Sequence, residues 1–387
     1  MTKTLPIVVI GLVLLSLIMA CTPKSTPSPT SVPPAANPVP ANPIPATPSA
    51  SPKDTNWDNV VEAAKKEGHL TLYPSAYFTG DKGQIVAKAF QDRYGFKPEF
   101  LIITGPQAVE KVKVEARMNQ RIGDIVPSGE STTTQLSQAG LTASVWQELP
   151  ELRDKSVFKS DPIFNPNGDI ISFSLKINGP AINTDLVKFQ DEPRSYFDLL
   201  EPKWKGKVLL EDPRSGGGTG FTWFSALLYY KVLDADYYRR FAKQEPILWG
   251  GSSTEAFRMV ARGEAWLTPY AADSNVGYLI VEGAPMKILG MKEGNVATSD
   301  VMTVIKGATH PNAAKLFLNW MLSREGQEVY ARAGSLESMR KDVASFLDPR
   351  VKMQPEPQKL LPRTYDMAQI INQYHKDGIA EGIFGKK

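Results

Sequence analysis

WDNVVEAAKKEGHLTLY, residues 57–73, is the stretch that decides the fold class, because a helix pattern in it runs directly into a strand pattern. The apolar side chains of the helix pattern lie on one face, at i, i+3, i+4 and i+7: Trp57, Val60, Val61 and Ala64. Gly68 ends the helix, since glycine is common just past a helix C-terminus. Residues 69–73 then alternate between polar and apolar side chains, as a half-buried strand does.

The same helix-then-strand unit occurs twice more downstream. A second helix pattern ends at Gly95 and precedes an apolar stretch at 98–103, and a third leads into residues 123–126. The apolar stripes of these helices are Ile85, Val86, Ala89 and Phe90 in the second, and Val109, Val112 and Ala116 in the third. Alternating units of this length predict an α/β fold, with helices on both faces of a parallel sheet. Ligands bind such sheets beyond the carboxyl ends of the strands.

A small polar loop follows each predicted strand, at 74–80, 104–106 and 127–131. Because these loops share one edge of the sheet, they predict a binding rim. The candidate ligand-binding residues of this rim are Tyr73, Ser75, Tyr77, Thr104 and Ser128. Two alternatives stay open, since serine and threonine are also good helix caps and Tyr73 could belong to the core.

The remaining sequence predicts a second lobe. Strand patterns occur at 173–177, 208–210, 265–268 and 301–305, and helix patterns at 221–243, interrupted near 234–236, and at 311–333. About 330 residues follow residue 53, a length that favours two lobes over one. We therefore expect lobe 1 to contain residues 54–177 and 296–387, and lobe 2 to contain residues 178–295.

The first 20 residues, MTKTLPIVVIGLVLLSLIMA, have the pattern of a secretory leader. Their apolar run is about 15 residues long, shorter than the roughly 20 that a membrane-spanning helix needs. Cys21 is the sole cysteine and follows Ala20 directly, in a pattern that resembles a bacterial lipobox, whose cysteine carries fatty acyl chains such as palmitate. The alternative is an ordinary leader with an incidental cysteine. A single cysteine excludes an intramolecular disulfide.

Residues 22–53 are almost wholly Pro, Ser, Thr, Ala and Asn, which predicts a disordered tether. At about 3.1 Å per residue, the tether reaches on the order of 100 Å. The formal net charge of +3 comes without a basic block, so nucleic acid is not an expected partner. These features together predict a globular domain that a flexible segment tethers to a membrane.

EDPRSGGGTGF, residues 211–221, is a glycine-rich turn that precedes an apolar helix pattern. Backbone N–H groups at a helix N-terminus attract an anion, and Arg214 could pair with it through two hydrogen bonds. The candidate ligand-binding residues here are Arg214, Ser215, Gly217 and Thr219. No Gly-Lys-Ser or Gly-Lys-Thr occurs, so the turn is not predicted to serve nucleotide hydrolysis. The alternative is a tight turn required only for close packing.

Several stretches together resemble the extracellular solute-binding proteins of bacterial ABC importers, in particular the ferric-binding branch. In order, they are YFDLLEPKWKGK (196–207), EDP (211–213), VARGE (260–264), VEGAP (281–285), IKGATHPNAAKLF (305–317) and SREGQ (323–327). The resemblance implies a two-lobed type 2 periplasmic-binding fold, whose lobes close about a hinge on a small molecule or ion. It also implies a monomer without cofactor or catalysis, which hands its solute to an ABC permease in the cytoplasmic membrane. With the leader, it implies an extracytoplasmic, lipid-anchored protein.

The resemblance also implies ferric ion as a candidate ligand. Ferric-binding relatives place two adjacent tyrosines after the Gly-Glu strand, where this chain reads PYAAD (269–273) and has only Tyr270. Tyr270 and Asp273 are candidates that face the cleft. The tyrosine pairs at 229–230 and 237–238 lie in helix patterns, where adjacent side chains diverge by about 100°. We expect an anionic organic solute; the alternative is ferric ion bound by Tyr77 and Tyr270.

A secreted serine hydrolase is the rival from another class. Ser156 and Lys159 fit a Ser-x-x-Lys pattern, but a match of four residues arises easily by chance. No Lys-Thr-Gly or Ser-Asp-Asn partner follows it in the sequence. We therefore expect a binding protein and not an enzyme.

Overall fold

The computed structural model of this chain describes residues 55–75, 78–215 and 218–386. The predicted leader, Cys21 and the predicted tether lie outside the described residues, and so do Tyr77 and Gly217. No helix within the described ranges is both long enough and apolar enough to cross a membrane.

The first three helices, and the helix that begins at Pro311, lie where the sequence patterns place them, and several helices have a polar side chain at the N-cap. The helix bounds are α1 Thr55–Glu67, α2 Gly80–Tyr94, α3 Gly105–Met118, α4 Glu130–Gln138, α5 Gly218–Tyr229, α6 Ala235–Ala242, α7 Ser253–Ala261, α8 Asp273–Val281, α9 Pro311–Leu322, α10 Arg324–Gly334, α11 Tyr365–Lys376 and α12 Ile379–Phe384. The helix expected over 311–333 is two helices, because the Ser323 hydroxyl accepts the Gly326 N–H and so starts α10. Asp234 likewise caps α6, at the interruption that the sequence predicts.

The strands are short. Their bounds are β1 Thr71–Leu72, β2 Glu99–Phe100, β3 Ile125–Ser128, β4 Thr142–Ala143, β5 Ile171–Ser172, β6 Lys176–Asn183, β7 Leu209–Glu211, β8 Ile247–Trp249, β9 Leu267–Ala272, β10 Met286–Ile288, β11 Asn295–Thr298, β12 Val301–Ile305 and β13 Leu360–Pro362. They form one sheet in each of two lobes, and a small parallel pair, β7 with β8, belongs to the second.

The sheet of lobe 1 has the order β2-β1-β3-β12-β4, with β5 also paired to β12. The pairs of β1 with β2 and β3 are parallel, with Thr71 opposite Glu99 and Leu72 opposite Ile125. β12 is antiparallel to β3, with Val301 opposite Ser128. The expectation of a wholly parallel sheet is therefore wrong at β12, because the chain enters this strand from lobe 2 and runs back across the sheet.

The sheet of lobe 2 has the order β10-β6-β11-β13, and β9 also pairs with β6. Aromatic side chains of α5 and α6 fill the core beside it, among them Trp223, Phe224, Tyr238 and Phe241, each fully buried. The tyrosines at 237–238 belong to this core, with Tyr237 donating to the Tyr196 carbonyl and Tyr238 to the Phe224 carbonyl.

Two adjacent chain crossings join the lobes, at residues 173–175 and at residues 299–300. The Phe173 N–H donates to the Asp300 carbonyl at 2.9 Å, and the Ser174 hydroxyl donates to Oδ2 of Asp300 at 2.7 Å. Nζ of Lys176 lies 2.5 Å from Oδ1 of Asp300. The crossings are thus bonded side by side, as a hinge between two lobes requires.

The C-terminal segment packs mainly on lobe 2, although Tyr365 and Ala368 also contact Phe164, Ile170 and Val301 of lobe 1. β13 pairs with β11, Val351 and Met353 pack beside β10 and α8, and α11 and α12 cover α5 and α6. The expectation that residues 296–387 all belong to lobe 1 is therefore wrong beyond about residue 350. The apolar stripes of these helices show that they are buried, but not on which lobe.

Candidate functional site

A polar cleft of about 340 Å³ lies where the two lobes and the hinge meet. Lobe 1 contributes Gly129, Glu130 and Ser131; the hinge region contributes Lys176, Asn178, Thr298, Ser299 and Asp300; lobe 2 contributes Gly218, Thr219, Thr222, Ser253, Tyr270, Ala272, Asn275 and Arg363. Almost every side chain in this set carries a hydroxyl, an amide or a charge. The lining therefore suits a polar solute.

Helix N-termini converge on this cleft. Ser131, Thr219, Ser253 and Asn275 stand in the first turns of α4, α5, α7 and α8 respectively. The first N–H groups of a helix have no partner within it, and the helix dipole adds partial positive charge there. Four such ends give the cleft a positive background that favours negative charge.

Part of that positive background is already neutralised by the chain itself. Oε2 of Glu211 accepts the Thr219 N–H at 2.8 Å, the Thr219 hydroxyl at 2.6 Å and the Ser253 hydroxyl at 2.7 Å. Gly218 leaves room for this carboxylate, since a Cβ there would lie 1.9 Å from Oε1 of Glu211. An internal anion therefore occupies the start of α5.

Three buried polar groups in the cleft lack aligned hydrogen-bond partners among the described residues. They are the Tyr270 hydroxyl, both carboxylate oxygens of Glu130 and Nε of Arg363. Tyr270 is 3% exposed and Glu130 is 6% exposed. Nε of Arg363 lies 2.7 Å from Oε2 of Glu130, and the Ser299 N–H bonds to the same carboxyl, so the Tyr270 hydroxyl is the group without any partner among the described residues. An unsatisfied buried polar group costs about 1–3 kcal/mol, and a bound molecule can supply the missing partner.

Charge and burial shift the titration of these groups. Burial raises the pKa of Glu130 to about 7, against the opposing pull of the Arg363 charge. Burial also raises the pKa of the Tyr270 phenol, although Arg363 opposes the shift. The Tyr270 phenol therefore keeps its proton near neutral pH and offers an O–H donor to the cleft, whereas the Glu130 carboxyl is protonated only in part at that pH.

A second cavity of about 370 Å³ is lined by Trp146, Phe164 and neighbouring residues of lobe 1 and by Thr364, Tyr365 and Asp366. Two of its three charged residues, Lys155 and Asp161, form an ion pair with each other at 3.0 Å. Among the described residues, no buried unsatisfied side-chain atom belongs to its lining. The cleft between the lobes is therefore the better candidate site.

Comparisons with known proteins agree with this architecture. Residues 86–359 match the model of the bacterial extracellular solute-binding protein family. This chain belongs to that family. An uncharacterized protein of Haemophilus influenzae is 28% identical over 289 residues, with 71% of this chain and 79% of that protein covered.

Solved structures share the fold of this solute-binding protein. The periplasmic binding protein AfuA from Actinobacillus pleuropneumoniae, with fructose-6-phosphate bound, matches with a TM-score of 0.59 and 24% identity, over 81% of this chain and 97% of AfuA. Iron-bound HitA from Pseudomonas aeruginosa matches with a TM-score of 0.61 and 22% identity, over 81% of this chain and 99% of HitA. The expected type 2 periplasmic-binding fold is confirmed.

The glycine-rich turn of this solute-binding protein differs from its expected role. Nε and Nη2 of Arg214 donate to the two carboxylate oxygens of Asp212, each at 2.8 Å, and Nη1 donates to the Gly385 carbonyl at 3.1 Å. Arg214 is not among the cleft-lining residues, so the structure places its guanidinium in contacts within the chain and not in this cleft. Ser215 is also absent from the lining, and Thr219 reaches the cleft with its N–H and hydroxyl already bonded to Glu211.

Among the described residues, the predicted rim of lobe 1 reaches the cleft at its third loop, through Gly129, Glu130 and Ser131 beside the predicted Ser128. Ser128 is 2% exposed within β3 and, like Ser75, is not part of the lining. The Thr104 hydroxyl accepts the Gln107 N–H and caps α3. The capping alternative is therefore the outcome for Thr104.

Tyr73 belongs to the core of lobe 1 and not to the cleft. Its side chain is fully buried, and its hydroxyl donates to Oε1 of Glu115 at 2.5 Å. Gly123 packs against the ring, because a Cβ there would lie 2.3 Å from it. The core alternative is therefore the outcome for Tyr73.

Of the two residues expected after the Gly-Glu strand, Tyr270 lines the cleft and Asp273 lies behind it. Asp273 is 4% exposed and its Oδ1 accepts the Ser274 N–H at 2.6 Å. Burial raises its pKa to about 7, against the Ser274 N–H, which lowers it.

Sequence reasoning missed several lining residues, among them Lys176, Asn275, Asp300 and Arg363. Asn275 could have been found from its place two residues after Asp273. Arg363 carries no local signal, because it follows a three-residue strand in a part of the chain without a clear pattern.

The described residues contain no group of three or more His, Cys, Asp or Glu side chains arranged to hold a metal ion. Tyr270 is the one phenol in the described lining of the cleft. Tyr77, the other predicted iron ligand, lies outside the described residues.

Proposed function

We propose that this solute-binding protein captures a small polar organic solute with an anionic group in the cleft, and delivers it to its ABC permease. The observation that carries the proposal is the buried Tyr270 hydroxyl without a partner among the described residues, beside the partly exposed guanidinium of Arg363. A solute with an anionic group and hydroxyls supplies an acceptor for Arg363 and a partner for Tyr270. The converging helix N-termini favour the negative charge, whereas the Lys176 ammonium is already paired with Asp300.

A thermal-shift panel tests this proposal. The purified protein is heated with fructose 6-phosphate, inorganic phosphate, citrate, ferric citrate, spermidine or glucose. We expect an anionic organic compound to raise Tm, because a ligand at 100 times its Kd stabilises the folded state by about 2.7 kcal/mol. A shift with glucose or spermidine alone would contradict an anionic solute, and no shift with any member would contradict solute capture in this cleft.

Ferric ion is the second candidate, favoured by the unsatisfied Tyr270 hydroxyl and by the iron that HitA binds. Ferric phenolate complexes are coloured, so added ferric citrate should produce a visible absorption band if Tyr270 is a ligand. The band should disappear in Tyr270→Phe. A colourless wild-type protein would leave the organic anion as the ligand.

We also propose that Cys21 carries the lipid anchor and that the protein acts as a monomer without catalysis. The support is the leader pattern that ends at this cysteine and the binding function of the family. Cys21→Ser should move the protein from the membrane fraction to the soluble fraction. Membrane association that persists in Cys21→Ser would disprove the lipid anchor.

A further inference from the structure

Glu130 and Arg363 face each other across the cleft, one from each lobe. Glu130 stands in the first turn of α4, whereas Arg363 directly follows β13, where its N–H donates to the Ala297 carbonyl at 2.7 Å. Nε of Arg363 lies 2.7 Å from Oε2 of Glu130. Separation of the lobes at this point must break this ion pair.

The pair is close but poorly aligned. The Arg363 side chain is 23% exposed and that of Glu130 is 6% exposed, so the guanidinium is open to the cleft and the carboxylate is not. The Ser299 N–H bonds to the Glu130 carboxyl, whereas Nε of Arg363 approaches it without the alignment of a hydrogen bond. A carboxylate or phosphate entering from the cleft could make the two parallel hydrogen bonds to guanidinium that Glu130 does not make.

The groups around Glu130 determine its charge once another anion takes Arg363. Burial is the largest influence and raises the pKa of Glu130 to about 7; Arg363, the Ser299 N–H and Lys176 lower it, whereas the Asp300 carboxylate raises it. The Tyr270 phenol also lies in this part of the cleft. The Arg363 charge lowers its pKa, and the Glu130 charge raises it. Without the Arg363 charge, the buried Glu130 carboxyl binds a proton at neutral pH.

We propose that Glu130 is an internal competitor for the solute: its carboxylate pairs with Arg363 until the anionic group of the solute displaces it. Arg363 is then the anion receptor of the cleft, and Glu130 sets the affinity threshold that a solute must exceed. This inference rests on the proposed capture of an anionic solute. The proposal predicts that removing the Glu130 charge strengthens anion binding, whereas removing the Arg363 charge weakens it. A contact with a merely structural role would not give these opposite effects.

Isothermal titration calorimetry at pH 7 tests the competition, with inorganic phosphate, fructose 6-phosphate and citrate as probes. We expect Glu130→Gln to bind at least one probe about tenfold more tightly than the wild type, because the competing charge is gone while the side-chain shape is kept. The double variant Glu130→Gln with Arg363→Gln should lose that gain. Glu110→Gln, which removes an exposed carboxylate on α3, is the charge-matched control and should bind like the wild type.

The result that overturns the proposal is equal or weaker binding of all three probes by Glu130→Gln. A gain that survives removal of Arg363 also overturns it, because Arg363 would then not be the receptor. Circular dichroism of each variant shows whether it is folded. If Arg363→Gln does not fold, Arg363→Lys takes its place, because it keeps the positive charge but not the planar guanidinium.

Proton uptake provides an independent measurement. Calorimetry in two buffers of different ionisation enthalpy should show that the wild type takes up more protons per bound anion at pH 7 than Glu130→Gln does, since the probe's own proton exchange is common to both proteins and Glu130 loses its cation only in the wild type. The difference should persist in an Asp273→Asn background, which removes the other carboxyl with a pKa near 7. A difference that vanishes in that background would assign the proton to Asp273 and overturn the displacement.

This test separates the inference from the function on which it rests. If the wild type binds an anionic probe but Glu130→Gln does not bind it more tightly, the internal competitor is disproved and solute capture stands. If no solute in the thermal-shift panel binds the wild type, solute capture fails, whatever the glutamine variant shows.

Discussion

The residues that sequence reasoning placed wrongly are ones whose polar groups are satisfied inside the chain. Tyr73 and Arg214 both look like ligand-binding residues in isolation, yet Glu115 and Asp212 accept their hydrogen bonds. These partners are 42 and 2 positions away in sequence. Proximity in sequence is therefore no guide to whether a polar side chain is free, because the partner depends on the folded chain.

Tyr73→Phe should lower the free energy of unfolding and leave solute binding unchanged. The substitution removes the hydroxyl that donates to the buried Glu115 carboxylate, and loss of a hydrogen bond to a charged group costs about 1.5–3 kcal/mol. Urea denaturation measures the stability change. A loss of solute affinity in the folded variant would instead return Tyr73 to the binding site.

Arg214→Ala should destabilise the protein by about 2–3 kcal/mol without weakening solute binding. The substitution removes the two hydrogen bonds from the guanidinium to Asp212, which is 4% exposed. It also removes the hydrogen bond from the same guanidinium to the Gly385 carbonyl. Denaturation and calorimetry on the same samples separate the two effects. Arg262→Ala, which removes an exposed ion pair with Glu264, is the control and should leave stability unchanged.

At the scale of elements, the sequence predicted the type and order of helices and strands better than their ends. β12 spans Val301–Ile305, as expected, because five apolar or β-branched residues are buried there on both faces. The strand expected at 98–103 shortens to β2, although the Leu101 and Ile103 N–H groups still donate to the Leu72 and Pro74 carbonyls. The break between α9 and α10 depends on Ser323, which caps α10. The apolar pattern of the expected helix over 311–333 does not indicate this break.

The first turns of α4 and α8 carry the buried carboxyls of Glu130 and Asp273, and both have a raised pKa of about 7. A carboxyl with a raised pKa holds its proton more tightly in the folded state than in the unfolded state. The free energy of unfolding should therefore fall as the pH rises from about 4.5 to about 7, by on the order of 2–3 kcal/mol per group.

Urea denaturation across this pH range measures the slope. Glu130→Gln and Asp273→Asn should each flatten it, because an amide does not titrate. A slope of the opposite sign in the wild type, or an unchanged slope in both variants, would show that these carboxyls ionise freely in the folded protein.

At the scale of the whole molecule, the two lobes were predictable, but the path of the chain between them was not. The apolar stripes of the C-terminal helices indicate burial, and only tertiary structure shows that they pack on lobe 2. This same return of the chain brings Arg363 to the cleft, 233 positions after Glu130. The site therefore depends on a contact between the lobes that local sequence patterns do not contain.

Solute binding should bring the two lobes closer about the hinge at Ser174 and Asp300. The Ser174 hydroxyl and the Asp300 carboxylate tie the crossings, so motion should be a rotation of nearly rigid lobes around them. Small-angle X-ray scattering on residues 54–387 should show a radius of gyration near 20 Å, roughly the value for a compact chain of this length, that falls when the solute is added. Arg363→Gln should bind the solute weakly and keep the larger radius at the same solute concentration. If the wild type binds the solute with an unchanged scattering curve, capture occurs in a cleft that is already closed, and the hinge at Ser174 and Asp300 then serves release.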